Sequence, residues 1–116
     1  MAEYVVHDRD ASLNEYNVAL ALDTLKLEYF FQYAPLGFTG LRGQYIVDFL
    51  VFVPYEQPME VYGEYWHTGQ LGSDDKLRQA FLEKYFKRPV IILWGVETET
   101  EELALAAVRD HFGGLL

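Results

Sequence analysis

The chain has 116 residues, enough for one domain with a real core and too few for two ordinary domains. It is 51% hydrophobic and 16% aromatic, which excludes a disordered chain, and it has no cysteine, which excludes disulfides and thiolate metal sites. A net charge of -9 excludes a protein that coats nucleic acid by bulk electrostatics, although a local basic patch is compatible with it.

No apolar run approaches the ~20 residues that span a bilayer. The opening MAEYVVHDRDAS lacks the basic and apolar regions of a signal peptide. An intracellular (cytoplasmic) protein without a membrane partner is the expectation.

Residues 1–11 read as a loose lead-in to a single domain spanning 1–116. Ser12-Leu-Asn-Glu15 is a capping-box pattern, and Leu13, Tyr16, Val18, Leu20, Ala21, Leu22 and Leu25 recur at helical spacing, so a helix is expected over 13–25. The aromatic, Gly-free run Glu28 to Tyr33 reads as a strand. Residues 34–43, with three glycines and a proline, read as a loop.

The stretch from Gln44 to His67 organises the rest. Gln44 to Val53 is apolar apart from Asp48, and Pro58 to Gly63 carries Glu60. A four-residue connection of hairpin length, 54–57, joins the two runs. Side chains two apart share a strand face, so Asp48 aligns with Leu50, and Glu60 with Pro58 and Tyr62. In an antiparallel pair the two carboxylates can converge on one divalent cation. The plain structural reading pairs Asp48 with Arg42 or Arg78. The same kind of reading leaves Glu60 solvated at a strand edge, Glu15 as the last member of its capping box, and Lys76 as a solvated helix residue.

Beyond a loop containing Tyr65-Trp66-His67, Ser73 with Asp74 and Asp75 opens a second helix expected to reach Phe86. Val90 to Val96 reads as a buried strand. Thr98 to Glu101 is a second capping-box pattern opening a helix to His111, stopped by Gly113-Gly114. The expected order is α-β-β-β-α-β-α, an α/β fold with a mixed sheet of about four strands flanked by helices.

These residues and their order resemble the PD-(D/E)XK, or restriction-endonuclease-like, superfamily, and within it the very-short-patch-repair endonuclease branch and its small bacterial and phage relatives. The resemblance runs from Ser12 to His111. It rests on Asn14-Glu15, Phe31-Gln32-Tyr33, Asp48-Phe49, Glu60-Val-Tyr-Gly63 with Glu64-Tyr-Trp66-His67, Asp74-Asp75-Lys76-Leu77-Arg78, and the strand VIILWGVE. It implies a Mg²⁺ (or Mn²⁺) dependent DNA endonuclease that hydrolyses phosphodiester bonds. Asp48 and Glu60 would be metal ligands, with the Val61 carbonyl a third and Glu15 binding directly or through water. His67 would orient water or contact the phosphate. Where the family places a lysine two residues after the second acid, this chain has Tyr62. Lys76, at the start of the next helix, would supply a migrated cation, or Glu64 a replacement acid. The alternative that this departure implies is a catalytically degenerate nuclease-fold module with a structural or protein-interaction role. With so few basic residues, a homodimer or a partner protein would help to grip DNA.

Overall fold

In the computed structural model, which describes residues 3–35, 46–63 and 73–115, the elements follow the order ββαβββαβαα. They are β1 (Tyr4–Val6), β2 (Arg9–Ala11), α1 (Leu13–Thr24), β3 (Glu28–Tyr33), β4 (Val47–Phe52), β5 (Glu56–Tyr62), α2 (Ser73–Phe86), β6 (Ile91–Trp94), α3 (Gly95–Thr98) and α4 (Glu101–Phe112). A 3₁₀ turn, Gly113–Leu115, closes the described chain.

Two parts of this order depart from the expected αβββαβα. The first is the lead-in. Residues 4–11 form an antiparallel hairpin instead of a loose segment, with Val6 opposite Arg9. Its two-residue turn, His7 (φ 48°) and Asp8 (φ 65°), has positive φ at both central positions, the geometry that matches the twist of paired strands. His and Asp tolerate that region better than most residues, but they are not the Asn-Gly signature that announces it.

The second departure follows β6. The expected strand to Val96 stops at Trp94, and Gly95–Thr98 is one turn of helix. Thr98 is therefore not a cap. It is fully buried, and its hydroxyl donates to the Trp94 carbonyl at 3.2 Å and accepts from Asn14 Nδ2 at 2.9 Å. The N-cap of α4 is Thr100, whose hydroxyl accepts from the Leu103 amide at 3.1 Å.

The capping box of α1 forms as its sequence indicates. The Glu15 amide donates to Ser12 Oγ at 3.1 Å, and the Ser12 amide donates to Glu15 Oε1 at 2.9 Å. The helix ends in a Schellman pattern. Leu27 N–H reaches the Leu22 carbonyl and Lys26 N–H the Asp23 carbonyl, with Lys26 at φ 60°.

The main sheet has the order β3-β4-β5-β6. The first two pairings are antiparallel, and β5–β6, joined through α2, is parallel. One face carries the larger core. Phe31, Phe49, Val51, Met59 and Leu93 meet Val18, Leu22, Ala104, Val108 and Phe112 of α1 and α4. On the other face, Leu50 and Val47 pack with Leu82 of α2 and Val90. The fold is thus α/β, a four-stranded mixed sheet between helices. Among the described residues no helix is long and apolar enough to cross a membrane.

Candidate functional site

The sheet is irregular at Asp48. β3 and β4 pair from Glu28/Phe52 to Phe31/Phe49 and again at Tyr33/Val47, but Gln32 and Asp48 between them do not pair. Gln32 has φ 54°, a left-handed conformation inside a strand. The kink inverts the pleat. Phe31 and Phe49 belong to the larger core, whereas Tyr33 and Val47, two residues along and facing the same way in a regular strand, pack on the α2 face. Arg9 of β2 steadies the kink, its Nη1 donating to the Gln32 carbonyl at 2.9 Å.

The β4–β5 ladder opens at the same level. Its last regular pair is Phe49/Met59, and the next pair would be Asp48/Glu60. There the side chains take over from the ladder. The Asp48 amide donates to Glu60 Oε2 at 3.0 Å, and the Val61 amide donates to Asp48 Oδ2 at 2.8 Å. Two backbone donors that would lose their strand partners are thus satisfied by carboxylates. The carboxyls converge closely enough to interact with each other directly.

Such a pair is expensive to ionise. Glu60 is fully buried and Asp48 half-buried. Burial, and then the charge of Glu60, hold Asp48 well above the ordinary carboxylate range, against the opposing pull of the Val61 amide. Burial raises Glu60 as well, and Arg78 works against that rise. Burial and mutual repulsion thus favour the protonated form of Asp48, while the guanidinium beside Glu60 favours the negative charge there.

Arg78, on α2, is the cation that meets the dyad. Its Nε lies 3.0 Å from Glu60 Oε1, an ion pair whose direction is too oblique for a hydrogen bond. Its Nη2 donates to the Tyr62 hydroxyl at 3.0 Å and lies 3.5 Å from Asp75. The Tyr62 hydroxyl donates in turn to Glu60 Oε1 at 3.4 Å. Burial and the Glu60 charge raise the Tyr62 phenol, so it stays neutral and acts as a hydrogen-bonding bridge. Burial opposes the charge on Arg78, and Glu60 outweighs it.

The start of α1 meets α3 beside the end of β5. Asn14 Nδ2 donates to the Gly95 carbonyl at 3.1 Å as well as to Thr98, and Asn17 Nδ2 donates to the Thr98 carbonyl at 2.9 Å. A Cβ at Gly63 would lie 3.4 Å from Asn14 Oδ1, so the glycine lets α1 approach the end of β5. The dyad therefore lies toward the carboxyl ends of the parallel pair β5–β6, where α/β sheets commonly bind ligands.

The structure brings together Asp48, Glu60 and the Val61 backbone, the last through its amide. Glu15 is anchored in its capping box, and its charge still reaches Asp48. Lys76 is exposed on α2, two residues before the arginine that enters the site. His67, with Trp66 and Glu64, lies outside the described residues, as does Arg42. The plain pairing of Asp48 with Arg78 is corrected in one respect: the ion pair is made by Glu60. Sequence reasoning missed the role of Asn14 and the Tyr62–Arg78 bridge. Arg78 follows Tyr62 by sixteen residues, and no short-range spacing reports such a contact.

Among the described residues no three His, Asp or Glu side chains are gathered into a metal-holding group. The two converging carboxylates nonetheless fit part of the oxygen-only donor set that Mg²⁺ or Mn²⁺ prefers. Burial raises both carboxyls, and the charge of Glu60 raises Asp48 further, so added positive charge is stabilising there. No protein-family model, no curated protein and no solved structure matches the chain.

Proposed function

We propose that this chain is a metal-dependent DNA endonuclease with a restriction-endonuclease-like fold, hydrolysing phosphodiester bonds at Asp48 and Glu60. The observation that carries this reading is the convergence of a fully buried carboxyl, Glu60, and a half-buried one, Asp48, where both neighbouring ladders open. A sheet gains no packing from such a pair, and the cost of two close acids largely out of water calls for a functional reason.

Asp48 and Glu60 would hold Mg²⁺ or Mn²⁺, with the Val61 carbonyl and Glu15, directly or through water, as further oxygen donors. When bound, the cation neutralises charge on the phosphodiester and lowers the pKa of a coordinated water. The Asp48 and Val61 amides fix the two carboxyls in orientation. His67 is the proposed partner for water or phosphate. Lys76, exposed on α2, would assist proton transfer or stabilise charge. The net charge of -9 leaves DNA affinity to a few local cations, which favours a homodimer or a partner protein carrying part of the grip.

The test is a cleavage assay on plain, nicked, branched and mismatched duplex DNA with Mg²⁺ or Mn²⁺, beside Asp48→Ala. Cleavage by the native chain that disappears in the variant is the expected result. No cleavage of any substrate removes the reading.

A second reading rests on the Tyr62–Arg78–Glu60 bridge. The guanidinium already compensates part of the dyad's charge, as it would in a nuclease-fold module that has given up catalysis for a structural or protein-interaction role. That reading expects no cleavage and no metal binding by a well-folded chain.

A further inference from the structure

We propose that Arg78 is the resident counter-cation of the dyad and competes with the divalent cation for Glu60, so that metal binding and release of Arg78 are one event. This inference rests on the metal-dependent reading above and gives its site a built-in gate.

The first observation is the occupancy of Glu60. Its Oε2 accepts from the Asp48 amide at 3.0 Å, and its Oε1 faces Arg78 Nε at 3.0 Å and the Tyr62 hydroxyl at 3.4 Å. Both oxygens already have donors. A dication ligated by Glu60 must share an oxygen with a guanidinium charge a few ångströms away, in a site screened poorly by water. Like charges at that separation repel strongly at the effective dielectric of a protein interior.

The second observation is that Arg78 has somewhere to go. Its side chain keeps 20% of its surface exposed, whereas Glu60 has none. Asp75, one turn earlier on α2, already lies 3.5 Å from Nη2. The guanidinium can leave Glu60 for Asp75 and solvent without moving the helix, because residues three apart are neighbours on its surface. Glu60 has no such freedom, since its carboxylate is tied to the β4 backbone.

The third observation concerns Tyr62. Its hydroxyl touches both partners, accepting from Arg78 and donating to Glu60. A neutral bridge holds the pair in register without adding charge of its own. A lysine ammonium at Arg78 could contact one of these oxygens but could not present the planar fork that meets both.

The experiment is calorimetric titration of Mn²⁺ into the native chain, Arg78→Gln, Arg78→Lys and Arg109→Gln. Arg109 is an exposed α4 residue, so its variant removes the same charge without touching Glu60. Arg78→Gln should bind Mn²⁺ roughly tenfold or more tightly than the native chain. Arg78→Lys should fall between the two, and Arg109→Gln should match the native chain. Structural damage would weaken binding, so a gain of affinity is specific to competition. If Arg78→Gln fails to fold, Arg78→Lys decides: tighter binding than the native chain supports competition, and equal binding overturns it. Equal affinity in the native chain and Arg78→Gln overturns the gate and leaves the metal-dependent reading intact. No binding in any variant overturns both.

Discussion

The two ends of the β4–β5 pair are built on opposite principles. From Phe49/Met59 to Phe52/Glu56 the ladder is regular, and the side chains on its α1–α4 face sit in the larger core. One residue beyond Phe49 the ladder stops, the pleat inverts, and two carboxyls occupy the place of backbone partners. The regular end contributes stability through apolar burial. The open end spends some of that stability on holding charge in a fixed place. Strain, burial and like charge coincide at the open end, a combination that marks sites better than any of them alone.

The contrast can be broken from the stable side first. Phe49 is fully buried and its ring meets those of Tyr29 and Phe31. Phe49→Ala should cost about 3–5 kcal/mol in urea unfolding, the largest single effect expected here.

Next in size is Glu60→Gln. It removes the counter-charge of a guanidinium that is mostly out of water, and should cost about 2–3 kcal/mol. The figure lies below that for a fully buried pair because Arg78 keeps 20% exposure.

Asp48→Asn should act in the opposite direction. Because the folded chain holds the Asp48 proton to higher pH than the unfolded chain, the folded state binds more protons between the ordinary carboxylate range and the raised value. The dyad's contribution is therefore intact below the ordinary range and is lost as pH rises through the raised one. Unfolding measured from pH 4 to pH 8 should show stability declining along this limb. Asp48→Asn should flatten the decline and raise stability at neutral pH. A slope unchanged in the variant would remove Asp48 as its source.

The smallest effects belong to the kink. Gln32→Gly should raise stability by about 0.5 kcal/mol by removing the left-handed penalty, offset in part by chain entropy. Gln32→Val, a β-branched residue forced to φ 54°, should lose about 1–2 kcal/mol in the same assay.

How much of this was legible depended on the range of each signal. The α1 cap was readable because Ser12 and Glu15 signal each other across one turn. The range Glu28–Tyr33 was readable because its aromatic run is strand-like over its whole length. The meeting of Asp48 with Glu60 was readable because strand alternation and a short hairpin connection fix which side chains face one another. The lead-in hairpin was not readable, since its turn uses His7 and Asp8 in place of glycine. Thr98 was misread because its capping pattern is local, whereas its actual partners, Asn14 and Asn17, come from α1. The plain reading offered Arg78 to Asp48, but helix α2 turns its guanidinium to Glu60 instead and leaves Lys76 exposed. Each miss involved a partner supplied by a distant element or a conformation that its residue type does not advertise.

The central claim is that the open end of β4–β5 stabilises added positive charge, from a proton and, on the proposed reading, from a divalent cation. Carboxyl carbon-13 NMR of Asp48 and Glu60, titrated with and without Mg²⁺, tests it most directly. The account predicts that without Mg²⁺ the dyad takes up a proton well above the ordinary carboxylate range, and that saturating Mg²⁺ drives that titration downward. Two ordinary titrations, unmoved by Mg²⁺, would contradict it.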